Sequence, residues 1–217
     1  MLLNFIFWGS LELHEYHNAL TVVRALSPDE PLTLHRPHAA TRAARFFVEK
    51  FPGKSLYAVK ANPSPALLQI LWDAGITYYD VASIGEVRLV RDVLPEAVLC
   101  FMHPVKSERA IAEAYRDHGV RTFSLDSHEE LEKIVRATSQ DGVAATDLDL
   151  CVRIRVSSDY SKLSLAAKFG ADPADVADLL VATRQVADSL GICFHVGSQA
   201  MTPQAYADAM EKVRAAI

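Results

Sequence analysis

From about residue 55 onward, short apolar runs alternate with segments of helical period. Runs of this length bounded by turn residues predict buried strands at 55–60, 77–82, 97–102, 121–125, 149–156 and 191–197. Helix start signals recur between them. Ser64 followed by Pro65 reads as an N-cap with proline at the first helical position, and Gly75 closes that helix. Ser83 with Glu86, and Ser127 with Glu130, read as capping boxes. Ser107 precedes a helix stopped near Gly119, Asp172-Pro173 opens another that ends before Gly191, and a last one runs from about Pro203. Upstream, the pattern predicts a short helix from Leu11 to Leu26, an extended stretch over Pro31–Leu34 and a helix over 38–50 ended by Pro52-Gly53. Residues 139–148 read as a loop. Strands alternating with helices of this length argue an α/β fold whose parallel sheet is built from βα units.

Side chains alternate across each strand, so the pattern also assigns faces. In 149–156 the apolar face is Val152, Ile154 and Val156, leaving Cys151, Arg153 and Arg155 opposite. In 191–197 it is Ile192, Phe194 and Val196, leaving Cys193, His195 and Gly197. The strand at 77–82 sets Tyr79 and Val81 against Tyr78 and Asp80. The strand at 55–60 sets Tyr57 and Val59 against Ala58 and Lys60. In a parallel barrel the apolar outer faces lie under helices, and chemistry collects at the strand C-termini. Lys60, Asp80, Arg153 and His195 are therefore expected to point inward at one end.

Composition narrows the function classes. The 217 residues carry a formal net charge of −5 and a hydrophobic fraction of 50%, enough for one sizeable core. The acidic balance, without a basic block or aromatic-interleaved basic stripe, argues against a nucleic-acid partner. Cys100, Cys151 and Cys193 each sit inside an apolar run, as small buried hydrophobes rather than a disulfide or metal pattern. No metal site is expected, and a reducing, cytoplasmic setting fits. The opening Met1–Trp8 is apolar but lacks a basic start and is too short to span a bilayer, so no membrane partner is expected.

The stretch Ser55-Leu56-Tyr57-Ala58-Val59-Lys60-Ala61-Asn62 carries the candidate chemistry, because an ammonium at the end of a buried strand is costly unless paired or employed. Taken singly, each candidate has a bland reading: Lys60 reaching solvent, Asp80 in a turn, Glu86 as a cap, Arg153 in an ion pair, His195 as a satisfied core histidine. Together with Asp80-Val81-Ala82-Ser83 and Phe194-His195-Val196-Gly197-Ser198, however, the Lys60 stretch resembles the fold-type III pyridoxal-phosphate decarboxylases acting on ornithine, lysine, diaminopimelate or arginine. Lys168-Phe169-Gly170, Met102–Lys106 and Phe123–Ser127 extend the resemblance, which covers about residues 31–217, toward the ornithine/lysine branch. It implies a (β/α)8 TIM barrel of the alanine-racemase-like type, incomplete here at about six βα units, after an N-terminal extension over 1–30.

The resemblance further implies pyridoxal 5'-phosphate as cofactor, Lys60 as the Schiff-base lysine, and Asp80 and Arg153 lining the cofactor pocket. His195 would stack on the pyridine ring and Ser198 contact the phosphate, next to a glycine that lets backbone approach closely. A small amino-acid substrate, most simply L-ornithine or L-lysine, polyamine biosynthesis and a homodimer at full length follow from the same resemblance. The family's glycine-rich phosphate loop, its glutamate on the pyridine nitrogen and its C-terminal β-domain do not occur before Ile217, so the chain reads as the N-terminal part of a decarboxylase, with free sheet edges and weakened cofactor binding when alone. The competing expectations are a non-catalytic decarboxylase-like regulator, a diaminopimelate decarboxylase, and a small single-barrel pyridoxal-phosphate homeostasis protein, whose motifs differ from those here.

Overall fold

The computed structural model describes residues 3–4, 15–156, 161–163 and 168–217. The chain divides into two compact units, Met1–Tyr79 with Leu89–Ala97, and Asp80–Arg88 with Val98–Ile217.

The first unit opens with β1 (Leu3–Asn4) and β2 (Glu15–Tyr16), an antiparallel pair. Helix α1 (Ala19–Leu26) follows, and its start is set by Asn18, whose side chain accepts the Thr21 N–H at 3.0 Å. The helix expected from Leu11 thus begins at Ala19, while positions 11–14 of that expectation lie outside the described residues. Pro31–Leu34 joins no strand. Helix α2 (Pro37–Lys50) has proline in its first turn and stops before Pro52, as read from the sequence. Then come β3 (Leu56–Ala58), a 3-10 turn (Val59–Ala61), and α3 (Pro65–Asp73). Strand β4 (Tyr78–Val81) and helix α4 (Ile84–Val93) each have one half in either unit. Val59, Leu68 and Tyr79 are fully buried and anchor this unit's core.

In the second unit β5 (Val98–Phe101), α5 (Glu108–Arg116), β6 (Thr122–Leu125), α6 (His128–Thr138) and β7 (Asp149–Arg153) alternate. After β8 (Ser161–Leu163) come α7 (Val176–Arg184), β9 (Ser189–Cys193), β10 (Ser198–Ala200) and α8 (Gln204–Ala216). The main sheet has the order β3-β4-β5-β6-β7-β9. Its ladders from β5 to β9 are parallel, with Phe101 opposite Phe123, Leu125 opposite Val152, and Arg153 opposite Cys193. All six expected strands are present, with a helix between each and the next strand of the sheet. The faces also stand for β4 and β7: Tyr79, Val81, Leu150, Val152 and Ile154 are buried, and Tyr78, Asp80, Cys151 and Arg153 are partly open. A second, two-stranded antiparallel sheet, absent from the sequence reading, joins β8 to β10.

Ser107 and Ser127 cap α5 and α6 as expected, accepting the N–H groups of Ala110 (3.2 Å) and Glu130 (3.3 Å). A lost cap of this kind costs about 1 kcal/mol. Ser107→Ala should therefore lower the urea midpoint by that equivalent while leaving the slope of the transition unchanged.

Candidate functional site

Lys60 does not lie on a strand. Strand β3 ends at Ala58, and Lys60 sits exposed at the centre of the 3-10 turn, beside fully buried Val59. Pro63 bounds that turn, since it disfavours helical backbone at Asn62, which is extended at φ −162°. The turn is tied on both sides. The Tyr57 hydroxyl donates to the Asn62 carbonyl at 3.1 Å, and the Asn62 side chain accepts the Ser64 N–H at 3.0 Å. Tyr57 in turn packs edge-on against Tyr79, with ring centroids 6.3 Å apart. Ser64 occupies the expected capping position, but its hydroxyl makes no capping hydrogen bond. Asn62 takes over the local bonding instead.

The remaining predicted site residues belong to the second unit. Asp80 is in β4 and Arg153 is the last residue of β7, both partly open. Arg153 is opposite Cys193 in the β7–β9 ladder, and the charges of Asp80 and Arg153 both bear on that thiol. Burial pushes that thiol up to about 12, Cys151 and the Asp126 and Asp80 carboxylates push the same way, and the Arg153 guanidinium opposes them. His195 departs from expectation: β9 ends at Cys193, so His195 lies exposed beyond the strand. Its Nδ1 accepts the Gly197 N–H at 2.9 Å, a local bond that competes with a ladder, and Gly197 turns at φ +100°. With Nδ1 accepting, a neutral imidazole carries its proton on Nε2. Ser198, half-buried, begins β10 opposite Leu163.

Several residues went unassigned in the sequence. The Asp126 carboxylate accepts the Gly170 N–H at 2.8 Å. The Arg153 guanidinium lies over the Phe169 ring, 5.1 Å from its centroid, and the His103 ring meets Phe169 edge-on at 5.3 Å. The Lys106 side chain is wholly buried, donating to the carbonyls of His103 (2.9 Å) and Ser124 (2.6 Å) and pairing with Glu130 at 3.0 Å. Glu130 also pairs with Lys133 at 2.5 Å, so its carboxylate holds an ion cluster instead of closing a capping box. The only sequence signal for these was that His103, Lys106, Asp126 and Phe169 fall inside quoted motifs. Cys100, Cys151 and Cys193 are free thiols, and burial pushes Cys151 up to about 11. No group of three or more metal-ligating side chains occurs among the described residues.

An exposed primary amine on a braced turn is a group that can condense with an aldehyde. Residues 38–217 match the pyridoxal-binding domain of the pyridoxal-dependent decarboxylases. The chain belongs to this family. Pyridoxal phosphate is accordingly the cofactor of its family, and the (β/α) series is that of an incomplete barrel. The lysine/ornithine decarboxylase of Selenomonas ruminantium is 35% identical over 156 residues, covering 71% of this chain and 37% of that protein. Antizyme inhibitor 2 of Homo sapiens is 31% identical over 163 residues, covering 74% of this chain and 34% of that protein. A solved SrLDC mutant in complex with PLP superposes with a TM-score of 0.70 at 31% identity, covering 82% of this chain and 45% of that one. The chain thus spans little more than a third of the curated relatives it matches.

Proposed function

We propose that the polypeptide carrying this chain decarboxylates a basic amino acid, L-ornithine or L-lysine, to a diamine of polyamine biosynthesis. Lys60 is the covalent attachment point for pyridoxal phosphate. The observation that carries this reading is the exposed Lys60 amine on a turn tied by Tyr57 and Asn62, within the stretch that matches the family. When bound, the cofactor supplies the electron sink that lets a carboxylate leave as carbon dioxide. Arg153 and Ser198 offer charge and a hydroxyl to its anionic groups, His195 offers a ring face, and Asp80 a carboxylate acceptor. Residues 31–217 form the cofactor-binding part and 1–30 precede it. A cytoplasmic homodimer completes the proposal, and no helix among the described residues is long and apolar enough to cross a membrane.

The test is release of labelled carbon dioxide by the full polypeptide with pyridoxal phosphate. Ornithine or lysine should be turned over faster than meso-diaminopimelate or arginine. Fastest release from meso-diaminopimelate would overturn the substrate assignment. The match to antizyme inhibitor 2, named as a regulator and not as an enzyme, favours a second reading without turnover. That reading expects no release from any of the four.

A further inference from the structure

We propose that Phe169 and His103 are positioning residues, which set the direction of the Arg153 guanidinium toward an anionic ligand. The inference rests on Arg153 being a cofactor-pocket residue, and adds what holds it there. A long arginine at the end of a strand has several rotamers of similar energy, and fixing one costs entropy that a ring face offsets. Phe169 offers such a face at 5.1 Å. Its own place is set by backbone. Gly170 follows it at φ +100°, where an added Cβ would come within 2.7 Å of the Arg155 nitrogen and 2.8 Å of the Ile154 carbonyl carbon. The Gly170 N–H is held by Asp126 at 2.8 Å. The Ala171 N–H donates to the Arg153 carbonyl at 2.8 Å, and the Ala171 carbonyl accepts the Arg155 N–H at 3.2 Å. Phe169 is therefore latched to the same strand end that carries Arg153.

His103 meets Phe169 edge-on at 5.3 Å, with its Nδ1 accepting the Val105 N–H at 3.1 Å. The His103 carbonyl is gripped by buried Lys106. The segment Met102–Lys106, read from the sequence as a marker of substrate branch, thus acts as an arm that reaches the Arg153 stack from the buried ion cluster.

A double-mutant cycle tests the coupling, with equilibrium affinity for pyridoxal phosphate as readout and borohydride labelling of Lys60 alongside. In the full polypeptide, Phe169→Leu should weaken affinity about three- to thirtyfold, and Phe169→Trp, which keeps a ring face, should stay within about threefold of wild type. In an Arg153→Met background Phe169→Leu should have no further effect. His103→Leu, expected to cost about two- to fivefold and likewise only with Arg153 present, reads the same coupling if Phe169→Leu does not fold. An equal loss in both backgrounds, or none in either, overturns the inference while labelled Lys60 keeps the function reading. Intact coupling without label at Lys60 overturns that reading and supports this one. No affinity in the wild type overturns both.

Discussion

Replacing Lys60 by alanine should abolish borohydride-fixed cofactor and lower carbon dioxide release by several orders of magnitude, the scale on which removal of a covalent catalyst acts. The fold should be untouched. Lys60 is exposed, and the bonds that shape its turn run from the Tyr57 hydroxyl to the Asn62 carbonyl and from the Ser64 N–H to the Asn62 side chain, none of which involves the lysine. Thermal unfolding of Lys60→Ala should match wild type closely, separating loss of chemistry from loss of structure. Label on another lysine, with Lys60→Ala still labelled, would remove Lys60 from the site.

What was legible in the sequence follows from burial of one strand face. The run Leu148-Asp149-Leu150-Cys151-Val152-Arg153-Ile154 alternates cleanly, and its alternate members are the buried ones, so strand, face and Arg153 could all be read. Strand ends were less legible. Lys60 and His195 were both placed on strands, and both lie just past one, where the chain turns with the bond from the Tyr57 hydroxyl to the Asn62 carbonyl and that from the Gly197 N–H to His195. Local bonds of this kind leave little periodic trace. The β8–β10 pairing joins segments far apart in sequence and only three residues long each, too short for alternation to register. Glu130 shows a different limit. A glutamate three residues after a capping serine predicts a capping box whether its carboxylate turns back to the helix start or, as here, inward to two lysines.

That inward turn makes Glu130 a point of large expected stability effect. Lys106 and Glu130 have side chains 0% and 5% exposed, so neither charge can be relieved by solvent. Glu130→Gln leaves the Lys106 ammonium buried without its counter-charge, and breaking a buried pair on one side costs about 3–5 kcal/mol. Urea unfolding should show that loss. Lys106→Met combined with Glu130→Leu should recover most of it, since jointly removing a buried pair is often near neutral. The pH dependence has a definite sign. Burial already holds the Lys106 ammonium below its ordinary value of 10.5, with Glu130 opposing the shift. Between the folded and unfolded values the unfolded chain binds more protons, so this group's penalty is absent above 10.5 and grows as pH falls to the folded value. Without Glu130 the folded value drops further and the window widens. Glu130→Gln should therefore regain stability relative to wild type as pH is raised toward 10.5, and a deficit that stays constant with pH would show that Lys106 does not carry the buried charge.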